Sequence, residues 1–241
     1  MSRRYLCGAL VGVLAIAAAL SATAGGATPS IKQGRMHRIT NSTSSNWSGY
    51  AVTGGRYTSV SSSWTEPTAT CSGTAYSSFW VGLDGDTSNT VEQTGTDADC
   101  SGSTPQYYAW YEMYPKFPVN FSNTVRPGDK LTASVTTNGS GSFTLTISDS
   151  TQNWTHTVSA RLKSAKLASA EVIAEAPSSS GGVLPLANFG TVSFTGATVN
   201  GKVLTSSTAG IDPITMQSGS TVKAQPGNLS SGAFSVTWKH S

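Results

Sequence analysis

The chain has 241 residues, only 11% of them charged, with Ser, Thr and Gly dominant and a formal net charge of +3. The composition suits an antiparallel β-sandwich or barrel of one domain or two small ones, and it shows neither heptads nor a fixed-period repeat. The positive charge is local: residues 1–40 hold Arg3, Arg4, Lys32, Arg35 and Arg38 and no acids, which leaves ten basic and twelve acidic residues (10 − 12 = −2) and no charge argument for nucleic acid.

Residues 1–24 read as a secretion signal: Arg3 and Arg4 lead, 6–20 are apolar, and Ala22-Thr23-Ala24 offers a small-residue cleavage site. The apolar run is short for a membrane span, so the mature chain is expected to be extracellular and free of membrane. Residues 25–45 read as a short basic propeptide or arm, and 46–241 as a single domain, starting at Asn46-Trp47-Ser48-Gly49-Tyr50. Beyond the signal, Cys71 and Cys100 form an even pair in an exported chain, which predicts a disulfide. Closing a loop of about 30 residues contributes roughly 3.6 kcal/mol by chain entropy.

Residues 57–64 predict a strand that ends at Glu66-Pro67. From 78 the chain reads Ser-Phe-Trp-Val-Gly-Leu-Asp-Gly-Asp, a strand running into a tight turn at Asp84-Gly85-Asp86. A return strand over 90–94 is expected to stop at Gly95. Side chains alternate, so Trp80, Gly82 and Asp84 share one face, and Val91 and Gln93 share a face of the next strand. In 107–115, Tyr108, Trp110, Glu112 and Tyr114 have one parity, an aromatic face with a carboxylate embedded in it. Core packing accounts for the aromatics; Glu112 is the odd member. Residues 131–136 and 142–147 alternate around Asn138-Gly139-Ser140-Gly141, a hairpin turn. Residues 154–160, 183–194 and 233–238 predict later strands, with a Gly- and Ser-rich interval before the last.

The usual catalysts are missing. Of three histidines, His37 lies in the removable segment and His240 is penultimate, which leaves His156 alone and argues against a Ser-His-Asp triad. There is no Gly-x-Ser-x-Gly elbow, no zinc spacing and no phosphate loop, and Asp84-Gly85-Asp86 reads as a turn rather than a calcium site. No metal or cofactor is expected. An enzyme of this composition works with carboxylates and amides. Residues 161–175 pose a conflict: Ala, Leu, Lys and Glu favour a helix, whereas a strand puts Glu171, Ile173 and Glu175 on one face.

Taken together, Asn46-Trp47-Ser48-Gly49, the run 80–86, Gln93-Thr94-Gly95, the run 109–115 and Ala-Glu-Val-Ile-Ala-Glu at 170–175 resemble the glutamic peptidases, or eqolisins, in motif order and over roughly 46–194. The resemblance implies a lectin-like, jelly-roll antiparallel β-sandwich with a curved catalytic sheet, a strand at 170–175, and endopeptidase activity in acid on polypeptide substrates by a monomer. Carried over by motif, the catalytic pair falls on Gln93 and Glu175, with Trp47, Trp80, Asp84, Asp97, Trp110 and Glu112 as supporting positions that bind substrate. The cysteines depart from the fungal arrangement, and the tail after Phe194 matches poorly.

In this reading an ionised Glu175, near its ordinary pKa, takes a proton from water, and Gln93 donates to the oxyanion from a neighbouring strand. Activity falls towards neutrality if Asp97 or Glu112 must stay protonated. Two other classes fit the residues: a glycoside hydrolase pairing Glu112 with Glu175, and a non-catalytic sugar- or wall-binding module using the Trp/Tyr face.

Overall fold

The structure, a computed structural model, describes residues 43–241. The expected signal peptide and nearly all of the basic arm lie outside the described residues. The chain runs through β1 (Thr43–Ser44), β2 (Trp47–Thr53), β3 (Ser59–Thr65), β4 (Ser78–Leu83), β5 (Val91–Ser101) and β6 (Thr104–Tyr114). It continues through β7 (Val119–Asn120), β8 (Lys130–Thr137), β9 (Ser142–Asp149), β10 (Trp154–Arg161), β11 (Ser169–Glu175), β12 (Ser178–Ser179) and β13 (Gly182–Val183). The last strands are β14 (Thr191–Val199), β15 (Lys202–Val203), β16 (Ile211–Ser218), β17 (Thr221–Pro226) and β18 (Phe234–Trp238). The described residues form no helix.

Hydrogen bonding orders the strands β10-β9-β8-β3-β14-β18-β17-β16-β2-β11-β4-β5-β6-β7, with antiparallel neighbours throughout. The path makes two layers because β16 changes partner along its length. Its first half, Ile211 to Ile214, pairs with β2, and its second half, from Met216, pairs with β17. The layer of β4, β5 and β11 then packs over β3, β8, β9 and β14. Between the layers lies the main core, with Phe79, Val81, Leu83, Val172, Leu131, Leu145, Ile147 and Phe194 fully buried. This is the all-β, antiparallel sandwich that the sequence predicted.

Strand periodicity overrides helix propensity at 169–175. Ala170, Val172 and Ala174 enter the main core, and β2 and β4 flank β11 on both sides, so its backbone is paired along its length. Four expectations need correction. First, β5 does not stop at Gly95 but runs to Ser101, paired with β6 along its length; a side chain at 95 would strike the Phe79 carbonyl and Trp80, so this glycine marks a close approach, not a turn. Second, 183–194 is not one strand, since 184–190 separates β13 from β14. Third, the Gly- and Ser-rich interval holds β16 and β17, the strands that join the layers. Fourth, the sheet begins before residue 46, with β1 paired in parallel to β16.

The predicted disulfide is present, Cys71 to Cys100 with Cα atoms 5.4 Å apart. It ties the segment before β4 to the far end of β5 and encloses the whole β4–β5 hairpin.

Candidate active site

Residues directly opposite in a sheet project to the same side, so the register of β2, β11, β4, β5 and β6 fixes a grid on the outer face of their layer. One row reads Trp47, Glu175, Ser78, Asp97, Tyr108. The next reads Gly49, Ile173, Trp80, Gly95, Trp110, and the third Ala51, Glu171, Gly82, Gln93, Glu112. Glu175 and Gln93 therefore share a face, as expected. They are not on adjacent strands, however: β4 stands between β11 and β5.

The middle row is the floor. Trp47, Trp80, Val91, Trp110, Ile173 and Ile214 make a second apolar cluster, separate from the main core. Trp47 and Trp80 meet edge to face at 4.9 Å between ring centroids. The indole nitrogens serve the carboxylates. Trp80 Nε1–H donates to Glu175 Oε2 at 2.8 Å, and Trp110 Nε1–H donates to Asp97 Oδ1 at 2.6 Å. A second donor reaches Glu175 from Asn46, whose Nδ2–H lies 2.9 Å from Oε1. Ser44 Oγ donates to Asn46 Oδ1 at 3.1 Å, which turns the amide nitrogen towards Glu175.

Glu112 bonds to Gln93, and its charge acts on Glu175. Gln93 Nε2 lies 2.6 Å from Glu112 Oε2, while Gln93 Oε1 is buried without a hydrogen-bond partner. Burial pushes Glu112 up to about 7, raised further by the Asp97 charge and opposed by the Gln93 amide. Burial likewise pushes Glu175 up to about 8; Glu112 adds to this, and the donors on Trp80, Trp47 and Asn46 oppose it. The expectation that Glu175 keeps an ordinary carboxyl pKa is thus corrected: desolvation in an aromatic floor outweighs three donors.

Not every predicted residue joins the site. Asp84 leaves β4 at a positive φ of 66° and turns its carboxylate away to the loop before β11. It accepts the backbone N–H groups of Lys166, Leu167 and Ala168, each at 2.8 Å, and is fully buried. Its role is to tie the β4–β5 turn to β11, and burial bars it from substrate. Asp97 is also buried, bonded to Trp110 and Tyr108, and braces the floor from its side. Glu171 shares the face of Glu175 but is fully buried, raised well above the ordinary range by desolvation, and its oxygens lack well-formed hydrogen bonds. Asn46, Tyr108 and Asp99 were not picked out from sequence as site residues, although Asn46 opens one quoted motif.

Comparison with known proteins shows the family and the fold. A family model described as Peptidase A4 family matches residues 45–238, including the tail after Phe194 that had seemed a poor match. Aspergillopepsin-2 of Aspergillus niger is 34% identical over 179 residues, 64% of this chain and 64% of its own length. Scytalidopepsin B of Scytalidium lignicola is 41% identical over 105 residues, 42% of this chain and 39% of its own. The matched regions thus span less than two-thirds of either relative. Among solved structures, scytalido-glutamic peptidase with a transition state analog inhibitor superposes with a TM-score of 0.72 at 28% identity, covering 81% of this chain and 98% of that one. Aspergilloglutamic peptidase from Aspergillus niger gives 0.62 at 28% identity, covering 68% and 99%. With a family match over most of its length and the same sandwich beneath it, this chain belongs to the peptidase A4 family, the eqolisins.

Proposed function

We propose that this protein is an acid endopeptidase in which Glu175 transfers protons and Gln93 stabilises the oxyanion. The observation that carries the reading is the arrangement of Glu175, Glu112 and Gln93 on one face, over a tryptophan floor. Export, a monomeric state and polypeptide substrates belong to the same proposal, as do the roles of Trp47, Trp80 and Trp110 in shaping the substrate's bed. The peptide-hydrolase family favours amide over glycosidic bonds and removes the basis for reading Glu112 with Glu175 as a glycosidase pair.

Because burial keeps the Glu175 proton on in acid, the group that meets the peptide is a carboxylic acid. As water attacks the carbon, the Gln93 NH2 meets the negative charge developing on the carbonyl oxygen; one Glu175 oxygen then passes its proton to that oxygen, and the other takes a proton from the water. The intermediate is neutral and Glu175 is again protonated. It then protonates the leaving nitrogen and recovers a proton as the carbonyl reforms. The Asn46 and Trp80 N–H donors, one on each oxygen, hold the carboxyl plane during both transfers.

Gln93 needs its NH2 group free for the oxyanion, and Glu112 decides whether it is. Protonated Glu112 donates to Gln93 Oε1 after a half-turn of the amide, so the NH2 faces the substrate. Ionised Glu112 recruits the NH2 to itself. Activity is then sustained in acid and lost as Glu112 ionises near its value of about 7.

The test is cleavage of a denatured protein across pH, with a polysaccharide as the parallel substrate. Glu175→Gln should fold normally and lose at least about 10²–10⁴ in kcat, the usual worth of a positioned proton-transfer group. Gln93→Ala should lose about 10²–10³. Glu171→Gln should stay within a few-fold of wild type, since that side chain is sealed in the sheet. A Glu175→Gln protein that still cleaves would sink the assignment, and turnover of polysaccharide alone would sink the reaction class.

A further inference from the structure

Beside the floor, one phenol meets two carboxyls. Tyr108 Oη lies 2.8 Å from Asp97 Oδ2 and 2.7 Å from Asp99 Oδ2. Both aspartates are almost wholly buried, at 2% and 1% exposure, and they stand two residues apart on β5, facing the same way. A tyrosine has one proton to donate, so it bonds one carboxylate; the second short contact needs a proton from the other side. Two anions sharing the phenol would also repel each other in a dry interior.

The remaining contacts say where that proton sits. Asp97 Oδ1 already accepts the Trp110 indole N–H at 2.6 Å, and the Ser78 hydroxyl also bonds to its carboxyl. Asp99 accepts only the Ser77 backbone N–H, on Oδ1 at 3.1 Å, which leaves Oδ2 to carry a hydrogen. The directed chain is complete: Asp99 O–H to Tyr108, Tyr108 O–H to the Asp97 anion, and Trp110 N–H to the same anion. Every polar atom in it has a partner of the right sense. The titratable groups acting on it are Glu112 and Tyr108 from β6 and Glu66 from the segment after β3. Glu175 stands in the same row on β11, with Ser78 between. None of these is a cation, so nothing supplies the charge that a second anion would need.

We propose that Asp99 is a positioning residue that holds a proton from acid through neutral pH and, by way of Tyr108, keeps Asp97 as the single anion anchoring the Trp110 indole in the floor. Burial and the Asp97 charge both raise Asp99 well above the ordinary carboxyl range, in the same direction as the proton count. Loss of that proton breaks the chain at Tyr108 and loosens Trp110. The inference does not depend on Glu175 being catalytic, and its tests do not read activity.

In Asp99→Asn the amide reproduces the protonated acid, with oxygen towards Ser77 N–H and NH2 towards Tyr108. Its Tm should match wild type near pH 4 and exceed it by several degrees in alkaline solution, once the wild-type proton comes off. Asp99→Ala should be less stable at both. An Asn variant destabilised equally at both pH values means a merely structural aspartate and overturns the proposal. Carbon-13 NMR of wild-type protein labelled at aspartate carboxyls decides without any variant. One aspartate should stay protonated when the solution reaches about pH 7; if all are ionised there, the proton is absent and the proposal fails.

Discussion

Two residues of the grid answer to one proton. Glu112 is held near 7 by burial against the Gln93 amide, so it is neutral in acid and charged at mildly basic pH. Which end of Gln93 faces the substrate follows from that charge, and a single amide thereby converts pH into the presence or absence of an oxyanion donor. Glu112→Gln makes the neutral state permanent, because its own NH2 donates to Gln93 Oε1 at every pH. Its activity should equal wild type within a few-fold at about pH 4 and outlast it towards pH 8, the falling limb moving up by roughly one unit or more. Glu112→Ala lacks the donor and should be weak throughout. A Glu112→Gln profile that falls at the same pH as wild type assigns the limb to another group. Asp84 shows the opposite fate for a carboxylate of the same motif. Three backbone N–H groups from 82 to 84 residues away hold it, and no local pattern announces them.

At the scale of strands, the middle row alternates Gly49, Ile173, Trp80, Gly95 and Trp110, and the glycines are what let the rings lie flat on the sheet. A Cβ at 95 collides with the Phe79 carbonyl and the Trp80 backbone, neither of which can swing aside. Gly95→Ala should therefore cost about 1–3 kcal/mol by overpacking. That lowers Tm by roughly 2–12 °C, and turnover should suffer as well because Trp80 Nε1 holds Glu175. An unchanged Tm would mean the row has slack. Such rows also mark how far the sequence could be read. Period-two alternation made faces legible: Glu171 and Glu175 together, Gln93 with Val91, and Trp110 with Glu112 all fell where parity put them. What parity could not supply was strand order, so Gln93 and Glu175 were expected on neighbouring strands when β4 separates them. β16 was hidden for a physical reason. Pro213 lacks an N–H and reads as a strand breaker, but it sits in the half of β16 that pairs with β2, just before the strand changes partner. Asp99 and Tyr108 were silent because their meaning lies in a shared proton between two strands, which neither segment shows alone.

The whole molecule keeps its acids inside. All twelve carboxylates lie within the described residues and none is exposed, whereas Arg56, Lys116, Arg126, Lys130, Arg161, Lys163, Lys166, Lys202 and Lys239 all are. The formal charge of −2 beyond residue 40 is therefore a poor guide to the surface, where the exposed charged side chains are cationic. Near pH 5 the described domain should bind a cation exchanger. Burial also dictates how stability follows pH. Glu92 and Glu175 are pushed to about 8, Glu112 to about 7, Asp86 to about 6, and Glu66, Asp99 and Glu171 well above the ordinary range, in each case chiefly by desolvation. A carboxyl raised in this way binds more protons folded than unfolded between its two pKa values. Its favourable contribution is complete below about pH 4, the unfolded value, and is lost as pH rises through the folded one. Each such group costs about 1.4 kcal/mol per pH unit within that window. For a domain of this size each kcal/mol lowers Tm by roughly 2–4 °C. Tm should thus be highest near pH 4 and decline continuously to pH 8, the reverse of a protein held by surface ion pairs. Glu92 isolates the effect, being fully buried, on the strand face opposite Gln93, and without a well-formed hydrogen bond on either oxygen. Glu92→Gln should leave Tm unchanged near pH 4 and raise it by several degrees at pH 8, measured by thermal scans of both proteins across that range. A wild-type Tm that rises from pH 4 to pH 8 would show that the buried carboxyls are ionised and compensated, and would overturn the acid-stabilised picture of the fold.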